Sequence, residues 1–324
     1  MCFFSTNYLL VSVLLCPNFM SMAAEEHRLY LTGASGLLGR AIFKKFQQEG
    51  WSVYGTAFSR VSKDLHKVDI TKESELSNSI KEFHPDIIIH TAAERYPDKV
   101  DKDPEGAKKL NVEATRYLCN VAKVHNIPVI YISTDYVFDG KAAPYSEDAT
   151  PNPVNLYGET KLQGEKETLA VSSDNIVLRV PVLYGPIEKL NESAVTVLFS
   201  VLKDTNKAAQ VSHFERRNPS HVNDIATVCL QLSTARIVKK QAGISGIFHW
   251  CGDEVMTKYE MIEHMSDVFT MPMAHVQWVL DIGDKPGVVR PYDTRLDKTR
   301  LKALGFGQHT PFKKGIEEAC APFY

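Results

Sequence analysis

At 324 residues, with 44% hydrophobic and 23% charged side chains, the chain has the makeup of a soluble globular protein, large enough for one big domain or two modest ones; disordered and fibrous classes are excluded. A formal charge of -2 gives no bulk electrostatic case for binding nucleic acid or an anionic membrane. Six cysteines (Cys2, Cys16, Cys119, Cys229, Cys251, Cys320) lie far apart, with no CxxC pair and no His/Cys cluster at metal-ligand spacing, so reduced thiols and no metal are expected.

Residues 1–26 read as a leader. Tyr8 to Cys16 has the apolar core of a signal peptide, and Ala23-Ala24 has the small residues of a cleavage site. No Lys or Arg precedes that run, and it is too short to cross a bilayer as a helix. An alternative leader or an upstream start is therefore expected, with Met20 or Met22 as the functional beginning. The expected location is cytoplasmic, with the nucleus also open to the protein, in preference to secretion.

The run Tyr30-Leu31-Thr32-Gly33-Ala34-Ser35-Gly36-Leu37-Leu38-Gly39-Arg40 reads as strand, turn and helix start without interruption. Leu29, Tyr30 and Leu31 suit a buried parallel strand, and Leu38, Ala41, Ile42 and Phe46 recur at helical spacing. Between them the glycines are spaced GxxGxxG. The first allows a sharp turn, the second allows backbone to approach a phosphate, and the third allows close helix packing. Gly33, Ser35, Gly36, Leu37, Leu38 and Gly39 are thus candidate contacts for a dinucleotide pyrophosphate, which would face the positive end of the helix.

From Arg28 to Val180, β-branched runs alternate with amphipathic stretches of helical length, predicting strands near 28–32, 52–56, 66–69, 86–91, 128–133 and 175–180. The fold class is α/β, a Rossmann-type doubly wound parallel sheet with a smaller C-terminal substrate-side lobe. Residues 27–180 form the nucleotide-binding domain, to which 216–250 return, and 181–215 with 251–324 form the smaller lobe. Within these later stretches, helices are predicted over Glu192 to Leu202, from near Asn223, and over Met256 to Phe269, with one more strand at Gly246 to Trp250.

At the end of the second strand, Gly55 to Arg60 contains no carboxylate to hold an adenine ribose 2′-hydroxyl. Phe58, Ser59 and Arg60 are instead candidate contacts for a 2′-phosphate, which favours NADP(H) over NAD. Asp69 is placed to reach the adenine edge, and Ala92 and Ala93 are small enough to let backbone lie along the ADP ribose. Ordinary turn chemistry would equally explain those three positions.

Tyr157 is followed four residues later by Lys161, an offset that puts phenol and ammonium on one helix face. A tyrosine titrates near ~10, and a close cation would make its hydroxyl a usable proton donor. Ser133-Thr134-Asp135 ends the strand expected beside the nicotinamide; Thr134 would polarise a carbonyl, or the run would simply cap a loop. Arg217 and His221 are candidates for the mouth of a substrate cleft, whereas His90 and His249 read as packing residues.

The glycine pattern, the run Ser133-Thr134-Asp135-Tyr136-Val137-Phe138-Asp139-Gly140, and Asn155-Leu156-Tyr157-Gly158 leading to Lys161 together resemble an extended short-chain dehydrogenase/reductase of the dTDP-4-dehydrorhamnose reductase branch. Within it, Ala92 to Asp98, Leu183-Tyr184-Gly185, Glu188-Lys189-Leu190, Glu192 to Val197, Phe248-His249-Trp250, Met256 to Met261 and Thr310-Pro311-Phe312 are similar to the family of methionine adenosyltransferase regulatory beta subunits. That resemblance implies a protein that binds NADP(H) and joins the methionine adenosyltransferase catalytic (alpha) subunit in a hetero-oligomer. Such a subunit tunes the catalytic subunit's response to methionine and product, and Thr134, Tyr157 and Lys161 would be retained mainly as cofactor contacts. The family's C-terminal tail, which docks into the catalytic dimer, continues beyond the position of Pro322-Phe323, so docking through that tail is expected to be weaker here or to use another surface. The alternative is a working NADPH-dependent sugar-nucleotide reductase in which Tyr157 donates the proton, Thr134 polarises the carbonyl and Lys161 lowers the phenol's pKa.

Overall fold

The computed structural model describes Met1, residues 26–280 and residues 287–324, so the expectations for the leader lie almost wholly outside the described residues. Six strands arise before residue 181: β1 (Arg28–Thr32), β2 (Ser52–Ala57), β3 (His66–Lys67), β4 (Ile87–His90), β5 (Val129–Thr134) and β6 (Ile176–Val180). Five follow: β7 (Leu183–Tyr184), β8 (Ala209–Ser212), β9 (Ser220–His221), β10 (Gly246–His249) and β11 (Val276–Val279).

A seven-stranded sheet runs in the order β10-β6-β5-β4-β1-β2-β3, and its pairings are parallel throughout. The chain builds outward from β1 to β3 and then returns to β4 on the other side of β1. That reversal opens a crevice at the carboxyl ends of β1 and β4, the place where ligands bind in such sheets. The doubly wound Rossmann-type architecture is the one the alternating pattern predicts.

Side-chain alternation explains why these strands are apolar throughout. Leu29, Leu31, Ile87, Ile89, Ile130 and Ile132 enter one core with Ile42, Phe46 and Ile225. Tyr30, Ile88 and Val129 enter the opposite one with Leu76, Ile80 and Leu118. Burying each large apolar side chain contributes about 1.5–3 kcal/mol, so helices must cover both faces.

Some expected elements differ in ways with local causes. The third strand stops at Lys67 because the Asp69 carboxylate accepts from Thr71 N (3.0 Å) and Thr71 Oγ1 (2.7 Å), turning the chain. The helix expected from Glu192 is split into a 3-10 turn, Leu190–Glu192, and an α-helix, Val197–Lys203. Here Ser193 Oγ donates to Leu183 O (2.6 Å) and Thr196 Oγ1 to Leu190 O (2.8 Å), side chain to backbone bonds that compete with helix. The helix expected from Met256 begins at Lys258, where Thr257 and Glu260 form a reciprocal capping box.

Beyond β6, β7 pairs with β9 and β8 with β11, and a second core gathers Tyr184, Phe199, Met261, Met265 and Phe312. Although residues 251–324 are assigned to the smaller lobe from sequence, the helix Thr299–Ala303 places Leu301 in the core beside the main sheet. No helix among the described residues is long and apolar enough to cross a membrane.

Candidate functional site

The crevice begins where β1 ends. Gly33 turns the chain with φ +69°, a conformation that disfavours side chains, and a Cβ there would meet Ala92 N and Thr91 Oγ1 at 2.8 Å. Gly39 is needed for close approach, since its Cβ would lie 2.1 Å from Gly33 O. At Gly36 a Cβ would meet only Gly33 O, at 3.2 Å, so this position faces a cradle that a side chain would fill. Gly36 also caps the helix Leu37–Gln48, which has neither a capping side chain nor an acidic residue in its first turn. Its opening N–H groups and positive dipole end therefore suit an anion. An anionic group such as a pyrophosphate fits the glycine turn and the opening N–H groups of this helix.

Beside the glycine turn, a pocket of about 370 Å³ is lined by Ser35, Arg40, Arg60, Asp64 and Glu188 among others. Arg60 is joined by Arg40, which the glycine pattern alone did not single out. Both guanidiniums bind Glu192: Arg40 through two contacts (3.2 and 2.8 Å) and Arg60 through one (2.9 Å). Although burial opposes ionisation, these arginines and the Glu188 N–H hold the Glu192 carboxyl down at about 2. Arg95, after β4, donates to Glu192 O at 2.6 Å, so the helix Leu37–Gln48 and the loops after β2 and β4 converge on one residue.

Other cofactor candidates divide. Ala92 lies against the glycine turn, its N–H 3.3 Å from Thr32 Oγ1, and Ala93 is half-buried next to it. Phe58 and Ser59 are exposed and outside the pocket lining, and Asp69 directs a carboxylate oxygen to Thr71. For Asp69 the turn chemistry is what the structure displays.

Deeper in the crevice, β5 and the helix Leu156–Val171 bring Thr134, Tyr157 and Lys161 to one region. Asn155 caps this helix by accepting from Gly158 N (2.9 Å). The helix's inward face is polar, carrying Thr160, Lys161, Glu165 and Thr168. Thr134 Oγ1 donates to Asp135 Oδ1 (3.1 Å) and accepts from Tyr136 N (3.2 Å). Tyr157 packs edge-on to Tyr136, with ring centroids 5.9 Å apart.

Lys161 behaves otherwise than the simple pairing with Tyr157 suggests. Its ammonium donates to Ile132 O at 2.7 Å and lies 4.0 Å from the centre of the Tyr131 ring. Burial pulls its pKa down to about 7, with Glu165 opposing. Burial pushes the Tyr157 phenol upward, Asp135 and Tyr136 add to this, and Thr134 and Arg95 act against it. The Lys161 head group is directed at the backbone of β5.

A buried polar network surrounds this pair. Thr32 Oγ1 meets His90 Nδ1 at 2.6 Å, His90 Nε2 meets Thr115 Oγ1 at 3.0 Å, and Thr115 donates to Asn111 O at 2.8 Å. Desolvation, aided by Lys161, takes His90 down to about 3, so the ring is neutral. Asn111 lies in a π-turn, Lys109–Glu113, and its side chain ties Glu94 N (2.8 Å) to Thr160 Oγ1 (3.1 Å). Glu165 accepts from Ser133 Oγ (2.5 Å) and from Arg179 (2.7 and 2.9 Å). His90 therefore does more than pack, and Glu165, four residues beyond Lys161, was signalled by the same helical offset.

Arg217 is buried; its guanidinium lies 5.6 Å from the centre of the Tyr136 ring, which itself packs on Tyr157, and it donates to Arg216 O, Pro291 O and Tyr292 O at 2.7 to 3.0 Å. His221 Nδ1 accepts from Asn223 N at the start of the helix Val222–Ser233.

Residues 27–324 match the model of the RmlD substrate binding domain. Two relatives, each called methionine adenosyltransferase 2 subunit beta, are 44% identical over 320 residues in Bos taurus (97% of this chain, 94% of the relative) and 46% over 304 residues in Xenopus laevis (93% and 90%). The chain belongs to the methionine adenosyltransferase 2 beta-subunit family. Family membership accounts for the retained reductase fold: a solved dTDP-4-dehydrorhamnose reductase from Bacillus anthracis, in complex with NADP, superposes with a TM-score of 0.78 at 24% identity, covering 92% of this chain and 99% of that one.

Proposed function

We propose that the protein is a non-catalytic regulatory subunit of methionine adenosyltransferase that binds NADP(H) in a reductase-type crevice. The observation that carries this reading is 44–46% identity to named beta subunits along 93–97% of the chain. The partner is the catalytic (alpha) subunit, and S-adenosylmethionine synthesis would take place there. Four described cysteines, Cys119, Cys229, Cys251 and Cys320, are free and buried, which supports a reducing, cytoplasmic setting.

Gly33 to Gly39 would hold the pyrophosphate, Arg40 and Arg60 a 2′-phosphate, and Tyr157 and Lys161 the nicotinamide ribose. The nicotinamide supplies hydride chemistry when bound. Lys161 directed at Ile132 O and a phenol held above its ordinary value support a binding role for the pair over proton donation. The reductase reading is favoured by one fact, that Thr134, Tyr157 and Lys161 all reach the same end of β5.

One experiment separates the two. The purified chain is mixed with the methionine adenosyltransferase catalytic subunit and product formation is followed against methionine, while NADPH absorbance is followed in parallel with dTDP-4-keto-6-deoxy-mannose. The regulatory reading expects co-elution and an altered methionine dependence without NADPH oxidation. Sugar-dependent NADPH oxidation that disappears in Tyr157→Phe, with no effect on the synthetase, would overturn it.

A further inference from the structure

The end of β2 lacks the carboxylate that would select NAD, yet the fold delivers one to the same place from a distant part of the chain. Two glutamates on one short segment approach Arg40 and Arg60, and they are not equivalent. The Glu192 side chain is 4% exposed and is fixed by short contacts to both arginines. The Glu188 side chain is 60% exposed and lines the pocket, its Oε2 lying 3.7 Å from Arg40 and 3.6 Å from Arg60. Those separations are beyond hydrogen bonding, and an exposed pair of this kind contributes little. Glu192 is therefore a fixture, and Glu188 is exchangeable.

Backbone geometry supports this division. Glu188 N donates to Glu192 Oε2 at 2.8 Å, so the main chain at 188 stays anchored while its side chain is free to turn. An anion entering the pocket would find the guanidiniums held from behind by Glu192 and faced on the open side by Glu188. A neutral hydroxyl arriving there would find a carboxylate acceptor.

Building on the dinucleotide-binding reading, we propose that Glu188 sets the selectivity of this pocket: in place it accepts the ribose 2′-hydroxyl of NAD, whereas the 2′-phosphate of NADP displaces it and takes the arginine faces. Glu192 is a positioning residue that presents Arg40 and Arg60 in either case. The pocket then admits both dinucleotides, with Glu188 compressing the preference for NADP that two arginines would otherwise create.

The test is a set of calorimetric titrations of the full chain with NADP+ and with NAD+, on wild type, Glu188→Gln and Glu317→Gln. Glu317 is exposed on the helix Phe312–Cys320 and outside the pocket lining, so it controls for a general change of charge. Glu188→Gln is expected to tighten NADP+ and weaken NAD+, raising the ratio of their dissociation constants about tenfold, as removal of one charge beside a phosphate should. Glu317→Gln should leave the ratio within about twofold. If NADP+ binds the wild type but Glu188→Gln leaves the ratio unchanged, or Glu317→Gln moves it as far, the selectivity proposal falls and the dinucleotide reading stands. If neither dinucleotide binds the wild type, both fall.

Discussion

The outer and inner ends of the crevice handle charge in opposite ways. At the outer end, Arg40 and Arg60 border an open pocket, and the carboxylate behind them is driven firmly into its ionised form. At the inner end, burial drives Lys161 down to about 7 and His90 to about 3 and pushes Tyr157 up, each towards its neutral state. Charge placed at a solvent-facing helix start is suited to capturing an anion; polar groups sealed from water are suited to holding fixed hydrogen bonds. Arg40 and Arg60 thus stand in the open part of the crevice, and Lys161 and His90 in its dry part.

The inner end is broken most severely by removing one half of its buried ion pair. Glu165→Ala leaves Arg179 without its partner where both side chains are at most 3% exposed, and should destabilise the fold by about 3–5 kcal/mol in denaturant titration. A loss under about 1 kcal/mol would mean that water reaches the pair and that this end is not dry.

Lys161→Met sharpens the contrast through pH. The folded value of about 7 lies below the ordinary 10.5, so between those pH values the unfolded chain holds the extra proton and wild-type stability rises with pH. The stability difference, wild type minus Lys161→Met, should grow by about 1.4 kcal/mol per pH unit from pH 7 to pH 9. A flat difference would show that the ammonium is solvated.

The smallest effect is expected at the outer end. Arg60→Ala should weaken NADP+ by about tenfold while leaving NAD+ nearly unchanged, because Arg60 is half exposed and Arg40 remains. Equal losses for both dinucleotides would show that the arginine does not read the 2′-phosphate.

How much of this was legible in the sequence follows from how local each signal is. Gly33 to Gly39 stands out because strand, turn and helix start are adjacent, and Tyr157–Lys161 because a helix places residues four apart together. Glu188 and Glu192 were invisible as partners of Arg40 and Arg60, since nothing in a linear pattern reports a contact across so much chain. Where the Lys161 head group points is not local either: a shared helix face fixes which side it is on, and the carbonyl of Ile132 on a neighbouring strand decides where it goes. β8 and β11 were missed because each is four residues long, with Gln210, Gln277 and Trp278 exposed, so neither shows the apolar run of a central strand.

The account turns on a pyrophosphate lying against the glycine turn, and Gly36→Val addresses this most directly. Gly36 has an ordinary φ of -75°, and an added Cβ would meet only Gly33 O, at 3.2 Å, so the variant should fold. Calorimetric titration with NADP+ should give saturable binding to the wild type and none to Gly36→Val at the same melting temperature within a few degrees. Equal affinity in the two proteins would contradict the placement of the nucleotide, and with it the reading of both ends of the crevice.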